Sequence, residues 1–113
     1  QLIPDTEIDL VFERRRPPLV SNMASRRLAA HAQEVYRELG MELIVDDEVS
    51  GGGTDAAFAA LETDAPVIEG MGLQTFGAHS NEAEYVNLES VEPRLYLLTR
   101  MIMDVALDKL RNN

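Results

Sequence analysis

The chain has 113 residues, 20 of them acidic against 10 basic, and a formal net charge of -10. That length makes one domain, and 45% hydrophobic with 27% charged content is ordinary for a globular protein able to bury a core. The charge argues against a nucleic-acid backbone or an anionic membrane as partner, no apolar run approaches the roughly 18 residues that span a bilayer, and the lack of cysteine excludes disulfides and cysteine-ligated zinc.

The first element is "TEIDLVFE". Ile8, Leu10 and Phe12 alternate with Glu7, Asp9 and Val11, the period of a half-buried strand. It runs into "RRRPP", where Pro17 and Pro18 cannot donate to a ladder and hold Arg16 extended. The composition shifts here, so a domain boundary is placed at this point. "SNMASRRLAAHAQEVYRELG" then has Leu28, Ala32, Val35 and Leu39 at helical spacing, Ser21 or Asn22 to cap the start and Gly40 to close the end. His31 lies inside this helix and is expected to face solvent or pack locally.

"MELIVDDEV" reads as a strand ending in acids, and "SGGGTDAAFAALE" as a loop entering a short helix with Thr54 or Asp55 near its start. "APVIEGMG" is a short apolar run started by Pro66, consistent with a buried strand. A glycine-rich loop carries His79. From Ser90 to about Leu110 the spacing predicts a last helix, with Pro93 in its first turn and Val91, Leu95, Leu98, Ile102 and Val105 as its apolar stripe.

After the first strand, helices and strands alternate. Such alternation predicts an α/β fold with a mainly parallel sheet covered by helices. Two or three strands are few for such a sheet and leave its edges open. The sequence therefore reads as part of a larger α/β domain, and a chain beginning at Gln1 is expected to be a processed product or a piece of something longer.

Three segments carry chemistry. In "SGGGTDA", Gly52 and Gly53 allow close backbone approach and Thr54 opens a helix, which suits a carboxylate or phosphate; a plain strand-to-helix turn explains it equally. No lysine follows the last glycine, so it is not a Walker A loop. In "RRRPP", a guanidinium held extended by the next proline is placed to fork onto a carboxylate, or the arginines form an exposed basic cluster. In "TFGAHSNEAEYV", His79 reads as a metal ligand, a base or a surface histidine. Glu82 and Glu84 stand close to it in sequence, yet a catalytic zinc needs about three protein ligands and this chain has one other histidine.

Taken in order, "FERRRPP", a helix, "SGGGTDAAFAAL", "APVIEGMG", "GAHSNEAEYVNLESV" and a long helix resemble the C-terminal end of the M20 metallopeptidases, nearest the glutamate carboxypeptidase (carboxypeptidase G2-like) branch. The resemblance runs over essentially the whole chain. It implies that residues 1–16 are the last strand of a lid or dimerisation domain and residues 17–113 the C-terminal segment of a zinc-peptidase-like catalytic domain. It further implies that His79 is one ligand of a di-zinc site, that Arg16 grips the substrate's C-terminal carboxylate, and that Gly52, Gly53 and Thr54 help bind it. The other ligands and the general base of the family lie upstream. The expected parent is a zinc carboxypeptidase acting on a peptide or N-acyl amino acid and releasing glutamate, with this chain inactive alone and prone to form a homo-oligomer. Aminoacylases and dipeptidases of the same superfamily, a small-anion-binding module and an acidic interaction domain are the alternatives. Localisation stays open, with the cytoplasm favoured.

Overall fold

Residues 4–7, 9–10, 19–46 and 54–107 are described by the computed structural model of the chain. Arg16, Gly52 and Gly53 lie outside the described residues, as do most of the expected first strand, the last residues of the expected second strand and the end of the last helix beyond Leu107.

The first helix, α1, spans Met23–Glu38. It starts where expected: the Asn22 side chain accepts from the Ser25 N–H at 2.8 Å, satisfying one of the helix's free donors. It also ends where expected. Gly40 has φ 71, and the N–H groups of Gly40 and Met41 donate to the carbonyls of Arg37 and Tyr36 at 2.9 and 3.2 Å. This is a Schellman closure, which needs a left-handed residue and so favours glycine. The short helix α2 spans Asp55–Leu61 and is capped by Thr54, whose hydroxyl accepts from Ala57 N–H at 3.3 Å. The last helix, α3, spans Val91–Ala106, follows a 3-10 turn at Leu88–Ser90, and carries Pro93 in its first turn.

α1 and α3 pack on each other and make the core. Ala32, Val35 and Tyr36 of α1 meet Leu97 and Met101 of α3, with Leu43 closing one end and Leu28, Ile68, Met71 and Tyr96 packed against the cluster. Leu97 and Val35 are fully buried, each contributing about 1.5–3 kcal/mol by leaving water.

The face that α3 buries is Leu97, Met101 and Asp104, not the stripe Val91, Leu95, Leu98, Ile102 and Val105, all five of which are exposed. The buried line of Leu97, Met101 and Asp104 is offset by one residue, about 100°, from the exposed apolar line. Spacing alone finds both lines and does not say which one meets α1.

The sheet also differs from the expected one. Among the described residues the one sheet is a two-residue antiparallel pair, β1 at Thr75–Phe76 and β2 at Tyr85–Val86, with Thr75 opposite Val86 and Phe76 opposite Tyr85. Residues 41–46 and 66–71, expected as strands, run without a ladder and are held by side chains. The Gln33 amide donates to the Leu43 carbonyl at 3.0 Å, the Ser25 hydroxyl accepts from Val67 N–H at 3.1 Å, and Arg94 Nη1 donates to the Gly70 carbonyl at 3.2 Å. Between these two segments, above α1, lies a groove of about 710 Å³ whose walls include Leu43, Val45, Val67 and Ile68. A strand is defined by its neighbour, and no described neighbour stands between them.

Candidate functional site

β1 and β2 form the base of a hairpin whose loop carries His79. Thr and Val pair across the two strands, and the Phe76 and Tyr85 rings stack at 4.9 Å between centroids. The ladder is extended by Asn87 N–H donating to the Gln74 carbonyl at 2.9 Å, with the two side-chain amides joined at 3.0 Å. Gln74 N–H in turn donates to the hydroxyl of Ser90 at 3.0 Å, and that hydroxyl donates to the Asn87 carbonyl at 2.6 Å. Ser90 is buried at the entry to α3, so the hairpin is tied to the start of that helix through one side chain.

The loop itself is tight. Gly77 has φ 68, and a Cβ there would strike the backbone carbonyl of Ala83 across the loop. Only glycine satisfies both conditions. A turn follows at once, closed by Ser80 N–H donating to the Gly77 carbonyl at 3.0 Å. Its third residue is His79, with φ 68. Positive φ at that position is the mark of a type II turn and usually selects glycine or asparagine. A histidine held there carries strain of order 1–3 kcal/mol, and such outliers cluster at ligand and active sites. The imidazole is exposed. Glu82 and Glu84, its acidic neighbours in sequence, are exposed as well, and no group of three His, Asp or Glu side chains able to hold a metal ion occurs among the described residues.

Thr54 stands at the N-cap of α2, with its hydroxyl engaged by Ala57 N–H. Among the described residues no contact joins α2 to β1 or β2.

One constellation was missed. His31 does not face solvent. Its Nε2 lies 2.7 Å from Oδ2 of Asp104, a pair buried between α1 and α3 with side chains only 10% and 3% exposed. Arg100 Nη2 lies 3.5 Å from the same Asp104 oxygen, and its Nη1 donates to Glu38 and to the Tyr96 hydroxyl. Tyr96 also donates to Glu38 at 3.1 Å. The hydrogen bond from Arg100, then that from Tyr96, holds the Glu38 carboxyl below its ordinary range, and Glu38 holds the Arg100 guanidinium above its own. A signal was present: Tyr96, Arg100 and Asp104 recur every four residues on one helix face. This network joins the two core helices and gives His31 a structural part.

A family model for peptidase family M20/M25/M40 matches residues 5–104. The chain belongs to this family. Its members' α/β zinc-peptidase fold accommodates the helices and the small sheet found here. The chain is also 40% identical over 107 residues to "Carboxypeptidase G2" of Pseudomonas sp. (strain RS-16), a match covering 95% of this chain and 25% of that protein. The chain thus spans about a quarter of the length of this M20 relative. No helix among the described residues is long and apolar enough to cross a membrane.

Proposed function

We propose that this M20 chain is the C-terminal part of a di-zinc metallo-carboxypeptidase that hydrolyses an amide bond and releases a C-terminal amino acid, glutamate in the first instance. The single observation that carries the reading is His79, an exposed imidazole held at φ 68 on a glycine-anchored turn. Membership of a peptidase family and 40% identity to a protein named a carboxypeptidase support the reaction class.

An imidazole presented on a rigid turn fits a zinc ion as one ligand, through its neutral form. A zinc site needs more donors than the described residues bring together. The resemblance to the M20 family assigns the remaining ligands and the general base to the part of the protein outside this chain. When bound, the metal ions supply polarisation of the scissile carbonyl and an activated water. The chain's own share is to hold one ligand and to grip the substrate. Arg16 is assigned the bidentate contact to the terminal carboxylate, with Gly52, Gly53 and Thr54 lining the same group. Residues 1–16 are assigned to the lid or dimerisation domain and residues 17–113 to the catalytic domain, where 41–49 and 66–72 would become strands of a mainly parallel sheet. The working enzyme is taken to be a homo-oligomer.

The test is a chimera in which this chain replaces the matching quarter of Carboxypeptidase G2. The isolated chain is expected to hydrolyse no N-acyl-glutamate, and the chimera to do so. His79→Ala in the chimera is expected to remove one zinc per subunit, read by elemental mass spectrometry, together with hydrolysis. Full zinc content and activity in His79→Ala would overturn the assignment.

A further inference from the structure

Ser90 stands at the position just before α3, where a serine commonly accepts a hydrogen bond from the N–H groups of the first turn. Among the described residues its hydroxyl makes no such bond. It accepts instead from Gln74 N–H at 3.0 Å and donates to the Asn87 carbonyl at 2.6 Å. Gln74 and Asn87 flank β1 and β2, so one buried hydroxyl bridges the two sides of the His79 hairpin at its base. A buried hydroxyl costs stability unless it is bonded, and here both bonds go to the hairpin and neither to the helix.

We infer that Ser90 is a positioning residue for His79: its hydroxyl ties the base of the hairpin to the start of α3 and so fixes where the loop presents the imidazole. The inference rests on the reading of His79 as a zinc ligand. Three observations carry it. The loop is tied at its neck, because Ser80 N–H donates to the Gly77 carbonyl, the Ser80 hydroxyl accepts from Ala83 N–H at 3.1 Å, and Gly77 leaves no room for a Cβ beside the Ala83 carbonyl. His79 therefore moves with the hairpin as one body. The strands do not themselves hold that body on the core, since among the described residues no contact joins β1 or β2 to α1 or α3. Finally, β2 runs by chain into the turn before α3, whereas the β1 side reaches that point through Gln74 N–H on Ser90. Without the hydroxyl the hairpin pivots about residues 87–90, with His79 at its far end. Ligand distances at a metal are set to within about 0.2 Å, and groups that orient a ligand are worth about 10–100-fold in metal affinity.

The test is zinc retention in the Carboxypeptidase G2 chimera, read by elemental mass spectrometry after dialysis against a graded chelator. Ser90→Ala is expected to weaken the hold on one zinc about tenfold or more, and Ser90→Thr, which keeps the hydroxyl, to restore it. Ser25→Ala is the control for lost stability alone, because Ser25 is also buried and its hydroxyl accepts from Val67 N–H. It is expected to lower the unfolding temperature and to leave zinc retention at the parent level. Parent-level retention in folded Ser90→Ala overturns the inference, as does an equal loss in Ser25→Ala. If the alanine variant does not fold, Ser90→Cys, with a weaker donor and acceptor of similar size, takes its place under the same outcomes. Failure of both to fold assigns Ser90 to the fold alone and also overturns the inference. His79→Ala separates this inference from the reading beneath it. If His79→Ala loses one zinc while Ser90→Ala loses none, the ligand assignment stands and the positioning role falls. If His79→Ala loses none, the ligand assignment falls and the positioning role with it.

Discussion

Asp104 is an acid with a side chain only 3% exposed, and His31 Nε2 lies 2.7 Å from its Oδ2. Replacing Asp104 with alanine leaves a buried imidazole without that acceptor and a guanidinium without one of its neighbours. Leaving a buried polar group without its hydrogen-bond partner costs up to about 3 kcal/mol. His31→Ala costs less, about 2 kcal/mol, because Asp104 retains Arg100 at 3.5 Å. The double variant loses nothing more from the pair once Asp104 has gone, so it falls by about 3 kcal/mol rather than 5. The double-mutant cycle therefore gives a coupling of about 2 kcal/mol. The assay is urea unfolding of the chain followed by far-UV circular dichroism, with Asp104→Asn as a milder variant if the alanine form is unfolded without denaturant. A coupling below about 0.5 kcal/mol would mean that the two side chains act independently, and the interhelical pair would be rejected.

Glu38 provides a prediction with a sign. Its carboxyl titrates lower in the folded chain than in the unfolded one, because Arg100 and then Tyr96 hydrogen-bond its charged form. The unfolded chain therefore binds more protons across the carboxylate range, and the stabilisation is present above that range and lost as pH falls through it, from about pH 5 downward. Thermal unfolding of Glu38→Gln should show a shallower acid limb than the parent; parallel limbs would refute the linkage. Gly77→Ala places a Cβ against the Ala83 carbonyl at positive φ and should cost about 1–3 kcal/mol locally, read as faster hydrogen exchange at Ser80 and Asn87. Unchanged exchange there would refute the tight closure. Ser90→Ala removes the acceptor of Gln74 N–H and should destabilise by about 1–3 kcal/mol, with the near-UV signal of the Phe76–Tyr85 stack lost before the helices melt. Loss of both signals together would refute the separate tether.

The sequence by itself determined the helices, because their signals are local. Asn22 and Gly40 bracket α1, Thr54 opens α2, and Pro93 sits in the first turn of α3, each acting on backbone groups within a few residues of itself. The motifs were legible in the same way, and their order pointed to the family whose model matches residues 5–104. The strand pairing was not. Thr75–Phe76 and Tyr85–Val86 are too short for a period to show, and only the turn that Gly77 permits brings them together. The left-handed backbone of His79 was equally hidden, since a φ value is set by the closure of the loop and not by the residue's own preference. Only the tertiary structure decided which side of α3 meets α1. Both lines have helical spacing, and the buried one carries Asp104, which meets a histidine 73 residues away. A long-range pair of that kind has no local signature, because its energy exists only once two helices are packed closely enough to exclude water.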